Sequence, residues 1–485
     1  MLSIKDILKN PLAWVIAFFI ISRLLALYFL PFFVGDEANY VHSYFEFEKT
    51  GRPDIYGEFV HKPPGMFAMT SPMLNFLVPM SNTLGLPIEV PFRLVSLIFG
   101  IPLLYLVYKI LLELSGSVKG AAVGTMFFSV FPNYFYSSLF YYPDTFVLLS
   151  SLLAFYFLVK MPNTKGSAIA ALFTGLAFYI KLEQAFLIFL VALPFMLLRR
   201  KLRLEYFVFS GAFCLLAIVL ITAPYYPARM SQFMLLVQTE LFTRVSSGTV
   251  PSPYLLFFIH LPLAVLVPFC LIYSLNFMKG ADFNYEYVET AMLLAFLAMV
   301  SAFFYSALLY VGLLLLISKI YSSLTTTSRG LLFALLAFTL VWSFLFTLLL
   351  CFTSAYDFQS QKDLGVFLQG KYPLTIVSYP PTMEIWRYYT AYYLPQNSPV
   401  LLANIRMSIL AYKFFGEANP DISQVHAFYV DGNLTGTDIS NITLTDKYVV
   451  VEAAQNRMLA PKLQNYTETK QFGTVPGFIL YEKSH

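Results

Sequence analysis

Long apolar runs recur throughout the first 350 residues of the sequence, and they decide what this chain can fold into. A helix of about 18 or more apolar residues is long enough to cross the hydrocarbon core of a bilayer. The chain is 58% hydrophobic and only 12% charged, whereas soluble domains carry about 25% charged residues. The sequence therefore predicts a polytopic α-helical membrane protein.

We predict about eleven membrane spans. Eight of them lie near residues 12–33, 92–114, 120–138, 143–160, 166–182, 184–199, 205–223 and 253–277, and the last lies near 331–350. The apolar run at 291–318 is long for a single span and short for two, so one span and two spans both stay open there. The total of about eleven takes it as two.

Basic residues lie on alternate connections between the predicted spans. They precede the first span at Lys5 and Lys9, and the densest run is Arg199–Arg203. Because connections rich in Lys and Arg face the cytoplasm, we expect a cytoplasmic N-terminus. Residues 34–91, the first long connection, are then extracytoplasmic.

The composition becomes that of an ordinary soluble domain at about residue 355. We predict a transmembrane domain at 1–354, with residues 34–91 as its first external loop, and a small α/β domain at 355–485, outside the membrane at a cell surface or in a lumen. Its predicted strands are Leu374–Ser378, Val400–Ala403, Val425–Val430, Lys447–Glu452 and Gly477–Glu482, and its predicted helices are Met383–Tyr393, Asn404–Phe415 and Gln455–Leu463.

Three Asn-x-Thr triplets lie in this second domain, at Asn433, Asn441 and Asn465. Each fits the acceptor pattern for N-glycosylation. All of them fall in the segment that the charge rule places outside, which agrees with the predicted orientation.

Two adjacent carboxylates, Asp36 and Glu37, directly follow the first predicted span. Ionisable groups at a membrane are costly and often functional. One carboxylate can act as a general base toward an acceptor hydroxyl while its neighbour orients it, binds a cation or contacts a sugar. The alternative is a solvated turn that caps the first span.

Several basic residues are predicted on the same external side. Lys62, between His61 and two prolines, is a compact charge suited to a phosphate, or else an interfacial lysine that extends toward anionic lipid. Arg93 and Lys181 lie at external span ends, where basic residues are disfavoured. They could bind an anionic leaving group, although Lys181 could instead pair with the nearby Glu183.

Asp144 lies at the external start of another predicted span. It either caps that helix or joins the carboxylates in binding an acceptor or a cation. Arg229 and Arg244 lie in an external loop that forms either a lid over a lipid carrier or an ordinary amphipathic helix. The histidines show no paired metal spacing. A divalent cation therefore has only carboxylate candidates, Asp36, Glu37 and Asp144, and no cofactor is certain.

The order of these motifs resembles the polytopic GT-C glycosyltransferases. The order runs Asp36-Glu37 with Tyr40, then His61-Lys62-Pro63-Pro64, then Arg93-Leu94. The most similar branch contains the dolichyl-phosphate-mannose protein mannosyltransferases and the aminoarabinose transferases of lipid A. Tyr142-Pro143-Asp144 and the stretch from Gly175 to Lys181 look like later motifs of that branch, so the resemblance covers roughly residues 1–320.

The resemblance implies that 1–354 is a glycosyltransferase domain. It implies an inverting transfer of a sugar from a polyprenyl (dolichyl) phosphate to a glycan, lipid or protein acceptor on the external face. Asp36 would be the catalytic base with Glu37 as its companion, and Lys62, Arg93 and Lys181 would bind the donor phosphate. His61, Tyr40 and Asp144 are candidates for the acceptor or cation site.

This chain departs from the branch at Phe303-Phe304-Tyr305, where a basic cluster often precedes the tyrosine. Either another loop, with Arg229 or Arg244, supplies that charge, or the donor differs.

Two other readings use the same residues. A transporter or lipid flippase would carry ionisable groups near the bilayer midplane within internal repeats, and no matching halves are visible. A non-catalytic scaffold that displays the C-terminal domain would not require Asp36, Glu37 and Lys62 together. The expected partners are a polyprenyl-linked sugar, membrane lipid and the acceptor, with no nucleic acid.

Overall fold

The computed structural model describes residues 10–33, 37–53, 64–181, 187–198, 202–223, 253–278, 308, 310–352, 358–378, 409, 413, 424–429, 444–452, 459–472 and 477–484. Most of them are helical, and a small sheet follows near the C-terminus. The predicted fold class, a polytopic helical protein with a small C-terminal α/β unit, is confirmed.

The helices are numbered in chain order among the described residues. They are α1 (Pro11–Tyr28), α2 (Glu37–Thr50), α3 (Gly65–Thr83), α4 (Glu89–Ser115), α5 (Val118–Val130), α6 (Pro132–Ser137), α7 (Pro143–Lys160), α8 (Thr164–Ile180), α9 (Leu187–Leu198), α10 (Leu204–Thr222), α11 (Pro253–Met278), α12 (Val311–Ile320), α13 (Thr326–Phe352) and α14 (Phe358–Phe367). Five of them, α1, α4, α7, α10 and α13, are long and apolar enough to cross a membrane. Shorter apolar helices accompany them, and the total of about eleven spans stays a prediction.

Local chemistry sets several helix boundaries. The side chains of Asn10, Ser117 and Asn163 accept hydrogen bonds from backbone N–H groups in the first turns of α1, α5 and α8, which satisfies donors that a helix start leaves open. Gly116 ends α4 with a φ of 70°, a left-handed conformation that glycine adopts without steric cost.

A break between α5 and α6 brings side chains of other helices to the backbone. Phe131 is extended, with ψ 136°, and Pro132 begins α6. The guanidinium of Arg23, which is fully buried in α1, donates to the carbonyl of Ser129, and the hydroxyl of Ser343 in α13 donates to the carbonyl of Val130. Freed carbonyls in a membrane helix need such partners.

Two apolar clusters fill the helical bundle. One joins α1, α4, α5, α7 and α12 through most of the bundle. The other lies at the end of the bundle where α1 ends and α4 begins, and includes side chains of α2, α3 and the segment at 135–142. This second cluster packs around the charged residues described below.

The C-terminal sheet has five strands in the order β2-β1-β3-β5-β4. The strands are β1 (Leu374–Ser378), β2 (Val425–Tyr429), β3 (Tyr448–Glu452), β4 (Tyr466–Phe472) and β5 (Phe478–Lys483). β1 pairs in parallel with β2 and β3, whereas β5 is antiparallel to β3 and β4. Leu364 and Leu368, in α14 and just after it, belong to the apolar cluster on the sheet.

The predicted strands at 374–378, 425–430, 447–452 and 477–482 agree with β1, β2, β3 and β5. The sequence analysis missed β4, whose middle residues are exposed and polar, and it missed α14. The predicted strand at 400–403 and the helix at 383–393 lie outside the described residues, and so does the domain boundary at 355. Of the predicted helix at 404–415 only Ile409 and Lys413 are described. Of the predicted helix at 455–463, residues 455–458 lie outside the described residues, and 460–462 form a 3-10 helix.

Candidate active site

The predicted site residues that the structure describes gather at one end of the helical bundle, hereafter the site end. Glu37 is the first residue of α2, and Arg93 lies in the second turn of α4. Asp144 is the second residue of α7, and Lys181 directly follows α8. Five other predicted residues lie outside the described part of the chain: Asp36, His61, Lys62, Arg229 and Arg244.

Glu37 and Arg93 form a buried two-point ion pair. Arg93 Nε lies 2.8 Å from Glu37 Oε1, and Arg93 Nη2 lies 2.7 Å from Glu37 Oε2. The side chains are 0% and 4% exposed for Glu37 and Arg93. Parallel hydrogen bonds of this kind fix the relative orientation of both groups as well as their distance. The start of α2 is thereby fixed to α4.

The same guanidinium also binds the segment that leads out of α1. Arg93 donates to the carbonyls of Leu30 and Phe32, and its guanidinium lies 5.0 Å from the centre of the Phe140 ring. Arg93 therefore holds residues on both sides of 34–36, which include Asp36. The sequence analysis assigned Arg93 to a phosphate, and this positioning task was not predicted.

The turn before α7 closes the site from another side. The Tyr141 N–H lies 3.3 Å from Glu37 Oε1, and the Tyr141 hydroxyl lies 2.7 Å from Thr70 Oγ1 in α3. Burial raises the pKa of Tyr141, which keeps the phenol protonated. The rings of Tyr40 and Tyr142 meet edge to face, 5.8 Å apart. Tyr40 therefore packs at the site.

Asp144 and Lys181 form a second, looser ion pair. Lys181 Nζ lies 3.7 Å from Asp144 Oδ1, and the two side chains are 15% and 10% exposed. The sequence analysis offered Glu183 as a partner for Lys181, but Glu183 lies outside the described residues. Asp144 lies in the first turn of α7, where the helix dipole favours an acidic side chain, while the N-cap position itself is occupied by Tyr142.

The start of α3 packs against the end of α8. A Cβ added at Gly65 would lie 2.6 Å from the Tyr179 carbonyl oxygen, so only glycine fits there without displacing backbone. Gly65 follows Lys62 by three residues, and Tyr179 precedes Lys181 by two. The ends of two segments that carry predicted phosphate ligands therefore meet.

His42 lies within α2 and is buried. Burial, with a smaller effect from the charge of Lys49, lowers the pKa of His42 to about 3. The imidazole is therefore neutral near pH 7, and the α2 side of the site carries no added positive charge from it.

The predicted cation site stays a prediction. Within the described ranges, no group of three His, Cys, Asp or Glu side chains is placed to hold a metal ion. Glu37 and Asp144 each face a basic side chain, and Asp36, the remaining candidate ligand, lies outside those ranges.

Two charged residues at the site end were not singled out from the sequence. Lys362 in α14 binds Glu89 at the start of α4, with Nζ 2.9 Å from Oε1, and it also donates to the Pro31 carbonyl. A lone lysine in a helix that the sequence analysis missed gave no signal of this contact.

Of the predicted glycosylation sites, Asn465 is described. Its side chain is exposed at the turn before β4. Asn433 and Asn441 lie outside the described residues, and glycosylation stays a prediction at all three positions.

Comparison with known proteins adds a sequence match to this geometry. Residues 67–225, about a third of the chain, match the model of the dolichyl-phosphate-mannose-protein mannosyltransferase family. This stretch includes Arg93, Asp144 and Lys181. A search of curated protein sequences gave no match.

Solved structures share the fold at low identity. ArnT from Cupriavidus metallidurans bound to undecaprenyl phosphate superposes with a TM-score of 0.59 at 13% identity, over 96% of this chain and 97% of that chain. The apo state of the same protein gives a TM-score of 0.55, also at 13% identity, with the same coverage. Arabinofuranosyltransferase AftD from Mycobacteria gives a TM-score of 0.44 at 12% identity, over 87% of this chain and 35% of that chain.

The family match covers the part of the chain that contains Arg93, Asp144 and Lys181, and the structural similarity to ArnT covers nearly the whole chain. Together they confirm the resemblance that the motif order predicts: this chain has the fold of the GT-C glycosyltransferases and resembles their protein mannosyltransferase and aminoarabinose transferase branch.

Proposed function

We propose that this protein is a membrane glycosyltransferase. It transfers a sugar, with inversion, from a polyprenyl phosphate to a hydroxyl of a glycan, lipid or protein acceptor on the extracytoplasmic face. The observation that carries the proposal is the buried Glu37–Arg93 pair. It anchors the first residue of α2, directly after Asp36, at the end of the bundle where Asp144 and Lys181 also meet.

The chemistry requires a base and a cation on the same side. The acceptor oxygen attacks the anomeric carbon of the donor sugar as the bond from that carbon to the phosphate oxygen breaks. The bonding pair leaves with the polyprenyl phosphate, and the acceptor proton passes to a carboxylate. One displacement from the opposite face inverts the anomeric centre. Cations near the phosphate stabilise the charge that develops there.

We assign Asp36 as the base and Lys62 and Lys181 as ligands of the donor phosphate. Lys181 supports this role because its ion pair is long and partly exposed. Arg93 acts through Glu37 as a positioning residue, since its guanidinium already donates to that carboxylate and to two carbonyls. Arg229 and Arg244 remain candidates for a lid.

The comparisons support the donor class. ArnT, which shares the fold, was solved with undecaprenyl phosphate, a lipid of the kind proposed here. The matching family is described by a dolichyl-phosphate donor, so the length and saturation of the lipid are left to experiment.

Charges at the other end of the bundle support the proposed orientation. Lys160 pairs with Glu113 there, and Arg203 donates to the carbonyls of Leu158 in α7 and of Met161 just after it. Basic residues favour the cytoplasmic side. We therefore propose a cytoplasmic N-terminus, with the site end and the C-terminal sheet outside.

The first test is transfer itself, in lipid nanodiscs supplied with a panel of polyprenyl-phosphate sugars. Wild-type protein should consume one of them, and Asp36→Asn should slow transfer by about 10²–10⁴-fold, the usual contribution of a general base. Glu113→Gln at the opposite end is the control and should retain the wild-type rate.

An Asp36→Asn rate equal to wild type would remove Asp36 as the base. If no donor is consumed while lipid or solute crosses vesicle membranes, the protein is a transporter. If neither transfer nor transport is seen, the non-catalytic scaffold is favoured.

A further inference from the structure

Lys362 joins the C-terminal unit to the helical bundle at the site end. Its ammonium lies 2.6 Å from the carbonyl oxygen of Pro31 and 2.9 Å from Glu89 Oε1. The side chains of Lys362 and Glu89 are 21% and 4% exposed. An ion pair that is largely removed from water is disrupted at greater cost than a surface pair.

The other side of α14 is held by the sheet. Leu364 and Leu368 are fully buried in the apolar cluster that contains β1 and β5 side chains. The Phe367 ring lies 5.6 Å from the Phe472 ring in β4. Because α14 is packed on the sheet while its lysine contacts the bundle, the position of the sheet and the position of Pro31 are linked through one helix.

Three consecutive carbonyls after α1 are bound by two cations. Arg93 binds those of Leu30 and Phe32, and Lys362 binds that of Pro31 between them. This short non-helical segment is therefore contacted both by a cation of α4 and by a cation of α14. Glu89 lies four residues before Arg93, one turn earlier on the same face of α4.

We propose that Lys362 is a positioning residue for the transfer reaction. It clamps the 30–32 segment from the C-terminal side, and this segment ends four residues before Asp36. The C-terminal unit thereby contacts the segment that leads to the proposed base. This inference rests on the proposed function for its catalytic consequence, and on the contacts alone for its structural one.

The structural consequence is tested by hydrogen exchange on the full-length protein in nanodiscs. In Lys362→Met, backbone amides of peptides that cover 29–45 should exchange faster than in wild type. Lys447→Met is the matched control, because Lys447 lies in the same unit and pairs with Glu482 while both side chains are well exposed. Unchanged exchange at 29–45 in Lys362→Met, or an equal change in Lys447→Met, would overturn the clamp.

The catalytic consequence is tested with kcat and KM for the lipid-linked donor. Lys362→Met should lower kcat about tenfold, because small misplacement of a catalytic group costs rate, with the donor KM within about twofold of wild type. Lys362→Arg should recover most of kcat, since it keeps the charge and the donors. A merely structural lysine would lower the thermal unfolding temperature and leave kcat of the folded fraction unchanged, which would overturn the proposal.

A double-variant cycle tests whether Lys362 and Glu89 act together. Glu89→Gln and the pair Glu89→Gln with Lys362→Met should show non-additive losses of kcat, and additive losses would contradict a shared role. If wild-type protein transfers no sugar, the proposed function fails, whereas the hydrogen-exchange comparison still decides whether Lys362 holds the segment.

Discussion

The two ion pairs at the site end differ in depth and in geometry. Glu37 and Arg93 meet through two short hydrogen bonds with almost no exposure to water, whereas Asp144 and Lys181 stand 3.7 Å apart with both side chains partly exposed. Separating the first pair would leave a buried charge without its partner. The ammonium of the second can be shared with a phosphate at small cost. We infer that the Glu37–Arg93 pair maintains the structure of the candidate site, whereas the Lys181 ammonium of the second pair is available to bind a phosphate.

The largest expected effect comes from breaking the deep pair. Glu37→Gln leaves the Arg93 charge buried opposite a neutral amide, which should lower the free energy of unfolding by about 3–5 kcal/mol. The measurement is unfolding in mixed micelles by titration with a denaturing detergent. Glu113→Gln, which breaks the exposed pair with Lys160, is the control and should cost less than about 1 kcal/mol.

Equal losses in Glu37→Gln and Glu113→Gln would end the distinction between a deep pair and a surface pair. A cycle that adds Arg93→Met should show that the double variant loses less than the sum of the two single variants.

A second test measures whether the α2 side of the site excludes water from His42. The pKa of His42 is lowered by burial from 6.5 to about 3, so between these values the unfolded chain binds a proton that the folded chain does not. Stability from this group is therefore present above pH 6.5 and is lost as pH falls, by about 2 kcal/mol at pH 5. The difference in unfolding free energy between wild type and His42→Gln, followed from pH 7 to pH 5, measures it.

Other groups titrate in the same range, and both proteins share them. The informative quantity is therefore how the difference in unfolding free energy between wild type and His42→Gln changes with pH. If the two curves fall in parallel, His42 is protonated in the folded protein and water reaches the α2 side.

The smallest effect on stability is expected at the partly exposed Asp144–Lys181 pair. The effect of a change there should be selective for donor binding. Lys181→Met should raise the donor KM about tenfold, equivalent to ~1.4 kcal/mol, while the unfolding free energy changes by less than about 1 kcal/mol. Lys165→Met, at the other end of α8, is the matched control and should change neither value. A large loss of stability with an unchanged KM would make Lys181 a structural residue like Arg93.

Much of this architecture could be predicted from the sequence because its causes are local. Apolar runs dictate helices in a bilayer, and short runs rich in β-branched and aromatic residues predicted four of the five strands. β4 was missed because its middle residues are polar and exposed. Counting spans from apolar runs is ambiguous in a bundle where several helices contain proline and several apolar helices have only 10–17 residues.

The gathering of the candidate site residues at one end of the bundle was predictable, and their pairing was less so. Alternation of span ends brings Glu37, Arg93, Asp144 and Lys181 to one side, as the topology argument required. Which acid meets which base depends on contacts between residues 56 positions apart in the case of Glu37 and Arg93, and no local pattern encodes them. The contact of Lys362 with Pro31, 331 positions away, is the extreme case.

The buried arginine of α1 has a consequence for biogenesis. Arg23 reaches Ser129 and Ser138, which are 106 and 115 residues later in the chain. At about 5–20 residues per second, the ribosome needs about 5 to 20 s to produce the first of them. Until then the first span holds a charge that the hydrocarbon core disfavours. We therefore expect the first span to wait beside the insertion machinery, or with Arg23 drawn toward the headgroups, and to reach its final depth only after α5 and α6 have been inserted.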